Sequence, residues 1–300
     1  MKELGRLITA MVTPFKDDLS IDFAQTKKLA KALMASGSDA IVVAGTTGES
    51  PTVTWDEEHA LFMAVKEAVG DKAKVIAGTG SNSTAEAVEN TVKAEKLGVD
   101  AALLVVPYYN KPTQEGLYRH FKAVADSTSL PIMLYNVPSR TVTSLSAETT
   151  VRLAKIPNIV GVKEASGNLG EIARIIEETR HARPDFIVWS GNDSDTLPIM
   201  AMGGFGVVSV ASHLVGLQIK RMIESFAAGK ISEAAELHRH LTPIFNNLFV
   251  VANPIPVKYA LNYIGFRVGP LRLPLVEADE KTASVVRDTL NQYHIDLPLV

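Results

Sequence analysis

The 300-residue sequence contains no cysteine. A chain without thiols forms no disulfide, holds no metal through thiolates and has no cysteine nucleophile. It suits a reducing interior, and we expect a cytoplasmic protein. The amino-terminal stretch MKELGRLITAMVTPFKDD has too short an apolar run for a signal peptide, and it reaches Pro14 and an acidic pair at once.

Charge of either sign is also scarce. Charged residues make up 21% of the chain, and 30 basic against 33 acidic residues leave a formal net charge of −3. This balance, without a basic cluster, argues against a nucleic-acid partner. No Asp, Glu, Lys or Arg occurs from Thr196 to Ile219, a length that could span a bilayer. Pro198 and several glycines interrupt it, so we predict a helix, a turn, a buried strand and a loop there, and no membrane span.

Eight short runs rich in branched apolar residues recur along the chain: LITAMVT, AIVVAG, KVIAGTG, AALLVVP, LPIMLYN, IVGVKEA, FIVWSGN and GVVSVAS. They are apolar throughout, as in parallel strands that helices cover on both faces. Amphipathic stretches of helical period lie between them. No dinucleotide-binding fingerprint follows the first run. We therefore predict an α/β fold, a (β/α)8 TIM barrel of residues 1–228 that closes near Ala211, rather than a doubly wound open sheet.

Helical patterns follow the predicted barrel. They lie around Leu214–Ala228, Ile231–Leu248 and Thr282–Tyr293, and the proline-containing segments ANPIPVK and GPLRLPL join them. We predict that residues 229–300 form a C-terminal helical domain packed on the barrel.

Reactive side chains follow the ends of the predicted strands. In such a barrel the carboxyl ends of the strands meet at one mouth, where the active site lies. The residues expected there are Thr46, Thr47, Glu49, Tyr108, Tyr109, Tyr135, Asn136, Arg140, Lys163, Glu164, Asn192 and Asp193. No His-rich or acidic cluster with metal-ligand spacing occurs among them, so we expect neither a metal nor another cofactor.

Histidine gives little further indication of a site. His213 follows the last predicted strand and is the one histidine that could belong to the mouth. Five others lie on predicted helices or at their ends, and we expect them at the surface: His59, His120, His181, His238 and His240.

Lys163 is the most informative mouth residue because it ends an apolar strand. A lysine amine in water has a pKa of about 10.4, and burial between apolar walls can lower it by several units. A neutral amine can attack a ketone and form a Schiff base, which acts as an electron sink. The alternative is that Lys163 reaches solvent or pairs with Glu164.

The other mouth residues also have ordinary structural explanations. Tyr135 could be a strand-end aromatic whose hydroxyl bonds to the backbone. Thr46 and Thr47 could be turn or helix-cap residues, and Arg140 could be an exposed loop charge. Each residue alone is a weak signal, and the set carries the prediction.

Five motifs follow one another along the chain: GTTGES (45–50), YYNKP (108–112), YNVPSRT (135–141), GVKEASG (161–167) and NPIPVK (253–258). Together they resemble the dihydrodipicolinate synthase family. That family belongs to the superfamily of pyruvate-dependent Schiff-base lyases, which includes N-acetylneuraminate lyase. The resemblance runs over essentially the whole chain, including LRLPL (271–275).

The resemblance implies a role for each catalytic residue. Lys163 would form the imine with pyruvate, and Tyr135 would shuttle protons at the imine and the enamine. Thr46 and Thr47 would hold the pyruvate carboxylate and relay protons. Tyr109 would cross into a neighbouring subunit's site and complete a Thr–Tyr–Tyr relay, which is reasonable because these hydroxyls both donate and accept.

The resemblance also implies the reaction. Pyruvate would condense with L-aspartate 4-semialdehyde to give 4-hydroxy-tetrahydrodipicolinate, in diaminopimelate and lysine biosynthesis. Arg140 matches the arginine that receives the carboxylate of the second substrate, and Gly191 and Val208 fall at positions that line the pocket. The family further implies a homotetramer built from dimers.

Other pyruvate-dependent lyases of this superfamily are the alternative. Neuraminate lyases usually have Ser-Thr where this chain has Thr46-Thr47, and they lack an arginine equivalent to Arg140. The 2-keto-3-deoxy sugar acid aldolases and 4-hydroxy-2-oxoglutarate aldolases are harder to exclude. Two further hypotheses are a keto-acid sensor without catalysis and a metal-dependent aldolase.

One departure from the family concerns regulation. The positions of the effector pocket in lysine-inhibited members correspond here to Ser50, Trp55, Glu58, Asn82, Glu86 and Tyr108. Trp55 and Glu58 stand where those members have two histidines. We therefore expect lysine to inhibit this protein weakly or not at all.

Overall fold

The structure is a computed structural model and describes residues 4–299. Eight strands follow one another in chain order around a closed barrel, and the neighbouring strands pair in parallel. This confirms the predicted (β/α)8 barrel. The strands are β1 (Leu7–Ala10), β2 (Ala40–Val43), β3 (Lys74–Gly78), β4 (Ala101–Val105), β5 (Ile132–Asn136), β6 (Ile159–Glu164), β7 (Ile187–Ser190) and β8 (Gly206–Ser209).

Helices lie between the strands and after the last one. They are α1 (Phe23–Ala35), α2 (Trp55–Val69), α3 (Thr84–Lys96), α4 (Gln114–Asp126), α5 (Pro138–Thr141), α6 (Ala147–Ala154), α7 (Leu169–Ala182), α8 (Thr196–Ala201), α9 (Ser212–Ala227), α10 (Ile231–Asn247), α11 (Ile255–Tyr263) and α12 (Glu280–Leu290). Among the described residues, no helix is both long enough and apolar enough to cross a membrane.

Contacts within the chain divide it into two compact units. The first unit consists of residues 4–6 and 76–208, and the second consists of residues 7–75 and 209–299. The separate C-terminal domain expected from residue 229 stays a prediction. Gly229, with a φ of 77°, does lie in the turn between α9 and α10.

Strand register in the first unit decides which side chains share a face. Tyr135 of β5 is paired with Lys163 of β6, and Asn136 is paired with Glu164. Matched residues of neighbouring strands point to the same face, whereas successive residues of one strand point to opposite faces. Tyr135 and Lys163 therefore share one face of the sheet, and Asn136 and Glu164 share the other.

Local signals explain where α2 begins. The Thr54 hydroxyl accepts from the Glu57 backbone N–H, and the Glu57 carboxylate accepts from the Thr54 N–H, which together form a capping box. Such a box satisfies two amide groups that a helix start leaves without partners. Arg272 donates to both oxygens of the same carboxylate, and this hydrogen bonding is the largest cause that lowers the pKa of Glu57 to about 2.

Two helical predictions need correction. The loop expected after the eighth strand is the start of α9, which begins at Ser212. The joining segment NPIPVK contains the start of α11, which begins at Ile255 with Pro256 in its first turn. Proline is well suited to a first helical turn, where its missing N–H costs nothing, so its presence did not indicate a linker.

His120 also lies elsewhere than expected. It is buried beneath α4 rather than exposed, and its Nδ1 lies 2.9 Å from the Thr84 hydroxyl. Burial lowers the pKa of His120 to about 4. The residue was assigned to the surface because a single polar residue on a predicted helix does not show which face it occupies.

Candidate active site

Lys163 ends β6 with a buried side chain that is 6% exposed. Its Nζ lies 4.1 Å from the centroid of the Tyr135 ring, as their matched register requires. Within residues 4–299, Nζ makes no hydrogen bond and no ion pair. Burial lowers the pKa of Lys163 to about 7, while the charge of Asp193 acts to raise it and that of Arg140 to lower it. Near neutral pH a large fraction of this amine is therefore uncharged.

Glu164 does not pair with Lys163. Its carboxylate lies on the opposite face of β6, where Asn136 Nδ2 donates to both oxygens at 3.2 and 3.0 Å. The Ser166 backbone N–H donates to the same carboxylate at 2.8 Å. Burial nevertheless raises the pKa of Glu164. The interpretation of Lys163 as the partner of Glu164 is therefore wrong.

Asn136 fastens the segment that carries Arg140. Its Oδ1 accepts from the Leu145 N–H at 2.9 Å, and its Nδ2 lies 3.4 Å from the Leu145 carbonyl. The bridged residues include α5, in which Arg140 lies exposed. The charge of Arg140 acts to lower the pKa of Lys163. Asn136 was predicted at the mouth without an assigned role.

Gly191 lies directly against the lysine side chain. A Cβ at this position would stand 2.7 Å from the Ala165 Cβ and 3.1 Å from the Lys163 Cγ. The Gly191 N–H donates to the Glu164 carbonyl at 2.7 Å, which fixes its place beside β6. Glycine is favoured here because a Cβ would clash with the Ala165 side chain and crowd the lysine stem.

Asp193 and Val208 complete the predicted residues of the first unit. Asp193 is buried at the start of a short 3-10 turn after β7, and its charge acts on Lys163. Sequence reasoning placed it at the mouth without a role. Val208 is buried on β8, and its place as a pocket residue stays a prediction.

Tyr109 lies at the surface of the single chain. It is 87% exposed and has a φ of 74°, a left-handed conformation that is costly for an aromatic residue.

Three predicted effector positions make hydrogen bonds within the chain. Asn82 Nδ2 donates to the carbonyl of Tyr108 at 3.1 Å, so these two predicted effector positions are brought together. Glu86, a third such position, accepts from the Ser81 hydroxyl at 2.8 Å.

The GTTGES loop of the second unit is a compact turn. The Gly48 N–H donates to the Gly45 carbonyl at 3.0 Å, and the Glu49 N–H donates to the Thr46 carbonyl at 3.1 Å. Thr46 is half-buried and Thr47 is buried. The Thr47 hydroxyl accepts a hydrogen bond of 2.9 Å from Asn253 Nδ2. Sequence reasoning missed Asn253, although it begins the recognised motif NPIPVK.

Glu49 of the same loop has a structural role. Its carboxylate forms an ion pair of 2.8 Å with Lys258, and both side chains are 1% exposed. The Arg272 backbone N–H donates to its second oxygen at 3.0 Å. These contacts hold Glu49 in a left-handed conformation, with a φ of 58°. Glu49 was predicted at the mouth, but both oxygens of its carboxylate are bonded within the protein.

His213 is a neutral structural histidine. Its Nε2 accepts from the Val12 N–H at 3.2 Å, and its Nδ1 lies 2.8 Å from the Val210 carbonyl, to which it donates. The ring is fully buried, and burial lowers the pKa of His213 to about 4. A neutral ring that uses both nitrogens on backbone groups joins the segments after β1 and β8.

The remaining predicted effector positions lie around the start of α2. Ser50 opens a 3-10 turn and Trp55 is the first residue of α2. Glu58 is 3% exposed, and its Oε2 has no hydrogen-bond partner within residues 4–299. Burial raises the pKa of Glu58 to about 9, so this carboxyl group is neutral near pH 7. The replacement of histidine by Glu58 therefore changes shape without adding a negative charge.

Metal-ligating side chains do not gather anywhere in the described part of the chain. No group of three or more His, Cys, Asp or Glu residues in residues 4–299 is arranged to hold a metal ion.

Comparisons with known proteins indicate the same family over nearly the full length of the chain. The model of the Dihydrodipicolinate synthetase family matches residues 3–293. A 4-hydroxy-tetrahydrodipicolinate synthase of Dehalococcoides mccartyi is 70% identical over 299 residues, which is 100% of both chains.

Solved structures show the same likeness. A dihydrodipicolinate synthase from Cyanidioschyzon merolae with lysine bound has a TM-score of 0.94 and 52% identity, over 96% of this chain and 98% of that one. One from Bacillus anthracis has a TM-score of 0.95 and 48% identity, over 98% of this chain and 100% of that one. With a family match over nearly the whole sequence, the chain belongs to the Dihydrodipicolinate synthetase family.

Proposed function

We propose that this enzyme has 4-hydroxy-tetrahydrodipicolinate synthase activity, the activity for which its relatives are named. The observation that carries the proposal is the state of Lys163. It is a buried amine with a pKa of about 7, and its Nζ has neither a hydrogen bond nor an ion pair within residues 4–299. Such an amine has its lone pair available for attack on a carbonyl carbon.

The first step joins pyruvate to the enzyme. Lys163 Nζ attacks the ketone carbon of pyruvate, and loss of one water molecule leaves the imine. Tyr135, whose ring lies 4.1 Å from Nζ, supplies the proton that lets hydroxide leave as water and takes protons back later. A phenol can do both because its oxygen donates and accepts.

Carbon–carbon bond formation follows from the imine. Loss of a proton from the pyruvate methyl group gives an enamine, because the iminium nitrogen accepts the electron pair. The enamine carbon then attacks the aldehyde of L-aspartate 4-semialdehyde. Arg140 binds the carboxylate of that substrate, a task for which a planar guanidinium is well shaped.

Release of the product regenerates the lysine. The amino group of the second substrate attacks the imine carbon and displaces Lys163 Nζ, which closes the ring of 4-hydroxy-tetrahydrodipicolinate. The Gly191 position supports this step, since the absence of a side chain leaves the lysine stem unobstructed.

Three hydroxyl residues complete the proposed machinery. Thr46 and Thr47 bind the pyruvate carboxylate and relay protons, and Tyr109 serves the site of a neighbouring subunit. The 87% exposure of Tyr109 in a left-handed conformation supports this role, because a strained exposed aromatic is explained by a partner that covers it. The enzyme is then at least a dimer, and we propose a homotetramer.

Regulation and location are part of the same proposal. Lysine inhibits weakly or not at all, because Trp55 and the neutral Glu58 replace two histidines of the effector pocket. The absence of cysteine supports a reducing, cytoplasmic location.

Borohydride trapping tests the proposal directly. Reduction in the presence of isotopically labelled pyruvate should leave one stable adduct, and peptide mapping should place it on Lys163. Lys258 is a matched internal control, since it is also a buried lysine but has saturated hydrogen bonds. Labelling of another lysine, or of none, would refute the proposal.

The choice of second substrate is tested separately. Turnover should be fast with L-aspartate 4-semialdehyde and much slower with neutral sugar aldehydes. Arg140→Ala should weaken binding of the semialdehyde while leaving pyruvate trapping intact. A preference for sugar aldehydes would identify the enzyme as one of the related aldolases.

A further inference from the structure

Asn253 links the C-terminal region to a residue of the proposed active site. Its Nδ2 donates to the Thr47 hydroxyl at 2.9 Å, and both side chains are buried. The two residues are 206 positions apart in the sequence. A buried hydrogen bond between such distant side chains fixes the rotation of the Thr47 hydroxyl.

The chemistry of the two groups determines the direction of this hydrogen bond. An amide nitrogen carries two protons and can only donate, whereas a threonine hydroxyl has one proton and two lone pairs. Since the Thr47 oxygen accepts from Asn253, its own proton remains available for a different acceptor. Thr47 is therefore held as a donor.

We propose that Asn253 is a positioning residue for pyruvate, which orients the Thr47 hydroxyl so that its proton is given to the pyruvate carboxylate. This inference rests on the proposed function, in which Thr47 binds that carboxylate. Asn253 itself does not touch the substrate. Its contribution is that Thr47 needs no rearrangement when pyruvate arrives, which lowers the entropy cost of binding.

Further contacts hold both partners in place. Lys258, five residues after Asn253, forms the 2.8 Å ion pair with Glu49, two residues after Thr47. The Thr13 hydroxyl donates to the Gly48 carbonyl at 2.7 Å, and Lys258 Nζ donates to the Thr13 carbonyl at 3.1 Å. Both the GTTGES loop and the NPIPVK segment are thus fixed on either side of the Asn253–Thr47 bond.

The chain offers a matched control pair for an experiment. Asn247 Nδ2 donates to the Thr289 hydroxyl at 2.7 Å, between α10 and α12. This hydrogen bond joins the same two chemical groups as the Asn253–Thr47 bond. Neither Asn247 nor Thr289 has a role in the proposed reaction.

The test replaces each asparagine by aspartate in the full-length enzyme. In Asn253→Asp the carboxylate accepts the Thr47 proton, so the hydroxyl can no longer give it to pyruvate. The pyruvate concentration for half-maximal borohydride trapping on Lys163, measured without the second substrate, should rise roughly tenfold or more, as for loss of one hydrogen bond to a charged group. Trapping at saturating pyruvate should still reach completion. Asn247→Asp should leave the half-maximal concentration within about twofold, the range that a neutral substitution gives.

A second variant separates orientation from added charge. Asn253→Leu is similar in size and removes the hydrogen bond without introducing a negative charge, and it should also raise the half-maximal concentration of pyruvate. If Asn253→Asp does not fold, Asn253→Leu decides by the same criterion, with melting temperature measured alongside.

The outcomes distinguish this inference from the proposed function. If the unaltered enzyme gives no pyruvate adduct on Lys163, the proposed function fails. If it does give the adduct, but the Asn253 variants trap pyruvate with the same concentration dependence as Asn247→Asp, the positioning role is overturned and the bond is structural only.

Discussion

Two buried lysines of this enzyme have opposite surroundings. The Nζ of Lys163 lies 4.1 Å from the centre of the Tyr135 ring, and the Nζ of Lys258 lies 4.4 Å from the centre of the Phe15 ring. Burial is the largest cause of the lowered pKa at both residues. By depth and by aromatic contact alone, the two amines would be judged equally reactive.

Hydrogen bonding separates them. Lys258 donates to the Glu49 carboxylate and to the carbonyls of Thr13 and Pro270, so each of its three protons has an acceptor. Lys163 has no such acceptor within residues 4–299. Hydrogen bonds to the charged form favour that form, so the contacts of Lys258 with Glu49 counter the effect of burial on its pKa. Reactivity at a buried lysine therefore depends on the absence of acceptors as much as on burial.

The largest expected effect comes from removing the reactive amine. Lys163→Met should lower the condensation rate by at least about a thousandfold, as expected when a covalent nucleophile is lost. Stability should be unchanged or higher, because an amine without hydrogen bonds is replaced by an apolar side chain. Steady-state assay and thermal unfolding measure the two quantities. Substantial activity in the variant would show that Lys163 is not the reactive lysine.

The reciprocal change should act on stability. Lys258→Met leaves the Glu49 carboxylate buried without its partner, which should cost about 3–5 kcal/mol in the free energy of unfolding. The double variant Lys258→Met with Glu49→Gln should recover part of this loss, because the unpaired charge is then removed. Chemical denaturation provides the measurement. A Lys258→Met variant as stable as the parent enzyme would show that the ion pair contributes nothing.

The pH dependence of imine formation should reflect the lowered pKa of Lys163. Only the neutral amine attacks, so the initial rate of trapping should rise tenfold per pH unit below pH 7 and level off above it, since the pKa is about 7. A lysine with an ordinary pKa near 10.4 would instead give a rate that still rises between pH 8 and 10. That profile would show that burial does not lower the pKa of Lys163.

A further test extends the comparison to carboxyl groups. Burial raises the pKa of Glu58 to about 9, whereas a hydrogen bond from Arg272 lowers that of Glu57 to about 2. Above its ordinary pKa of 4.5, Glu58 stays protonated only in the folded state, so stability falls as the pH rises from there to about 9. The slope is at most about 1.4 kcal/mol per pH unit. Glu58→Gln does not titrate and should gain stability relative to the parent enzyme across this window, as measured by denaturation at several pH values.

Glu57 provides the control with the opposite sign. Its carboxylate stabilises the folded state above pH 4.5, and this contribution is lost as the pH falls towards 2. Glu57→Gln should therefore lose stability relative to the parent enzyme at neutral pH. If Glu57→Gln and Glu58→Gln changed the pH profile in the same direction, the two environments would not differ as described.

Local patterns in the sequence predicted the barrel and its reactive lysine. The apolar runs matched all eight strands because a strand buried on both faces has to be apolar along its length. The separation of Lys163 from Glu164 also follows from the two-residue period of a strand. Sequence reasoning left their pairing open because it did not apply that period.

Long-range contacts escaped prediction. Nothing local to Asn253 or Thr47 indicates that the two side chains meet across 206 residues. Asn136 and Leu145 are closer in the sequence, but their contact depends on the path of the intervening chain. The burial of His120 depends on which face of α4 is covered. These contacts depend on how the folded elements pack, and the spacing of residues in a single sequence does not predict that packing.

The alternation along β6 makes the enzyme sensitive to a shift of one position. A single-residue deletion before Val162 would keep an apolar segment able to join the sheet, but it would exchange the two faces of the strand end. The carboxyl group would then lie on the same face as Tyr135, and the amine would lie on the same face as Asn136. The strand could still form, but the amine of Lys163 would lie on the face of the sheet opposite Tyr135.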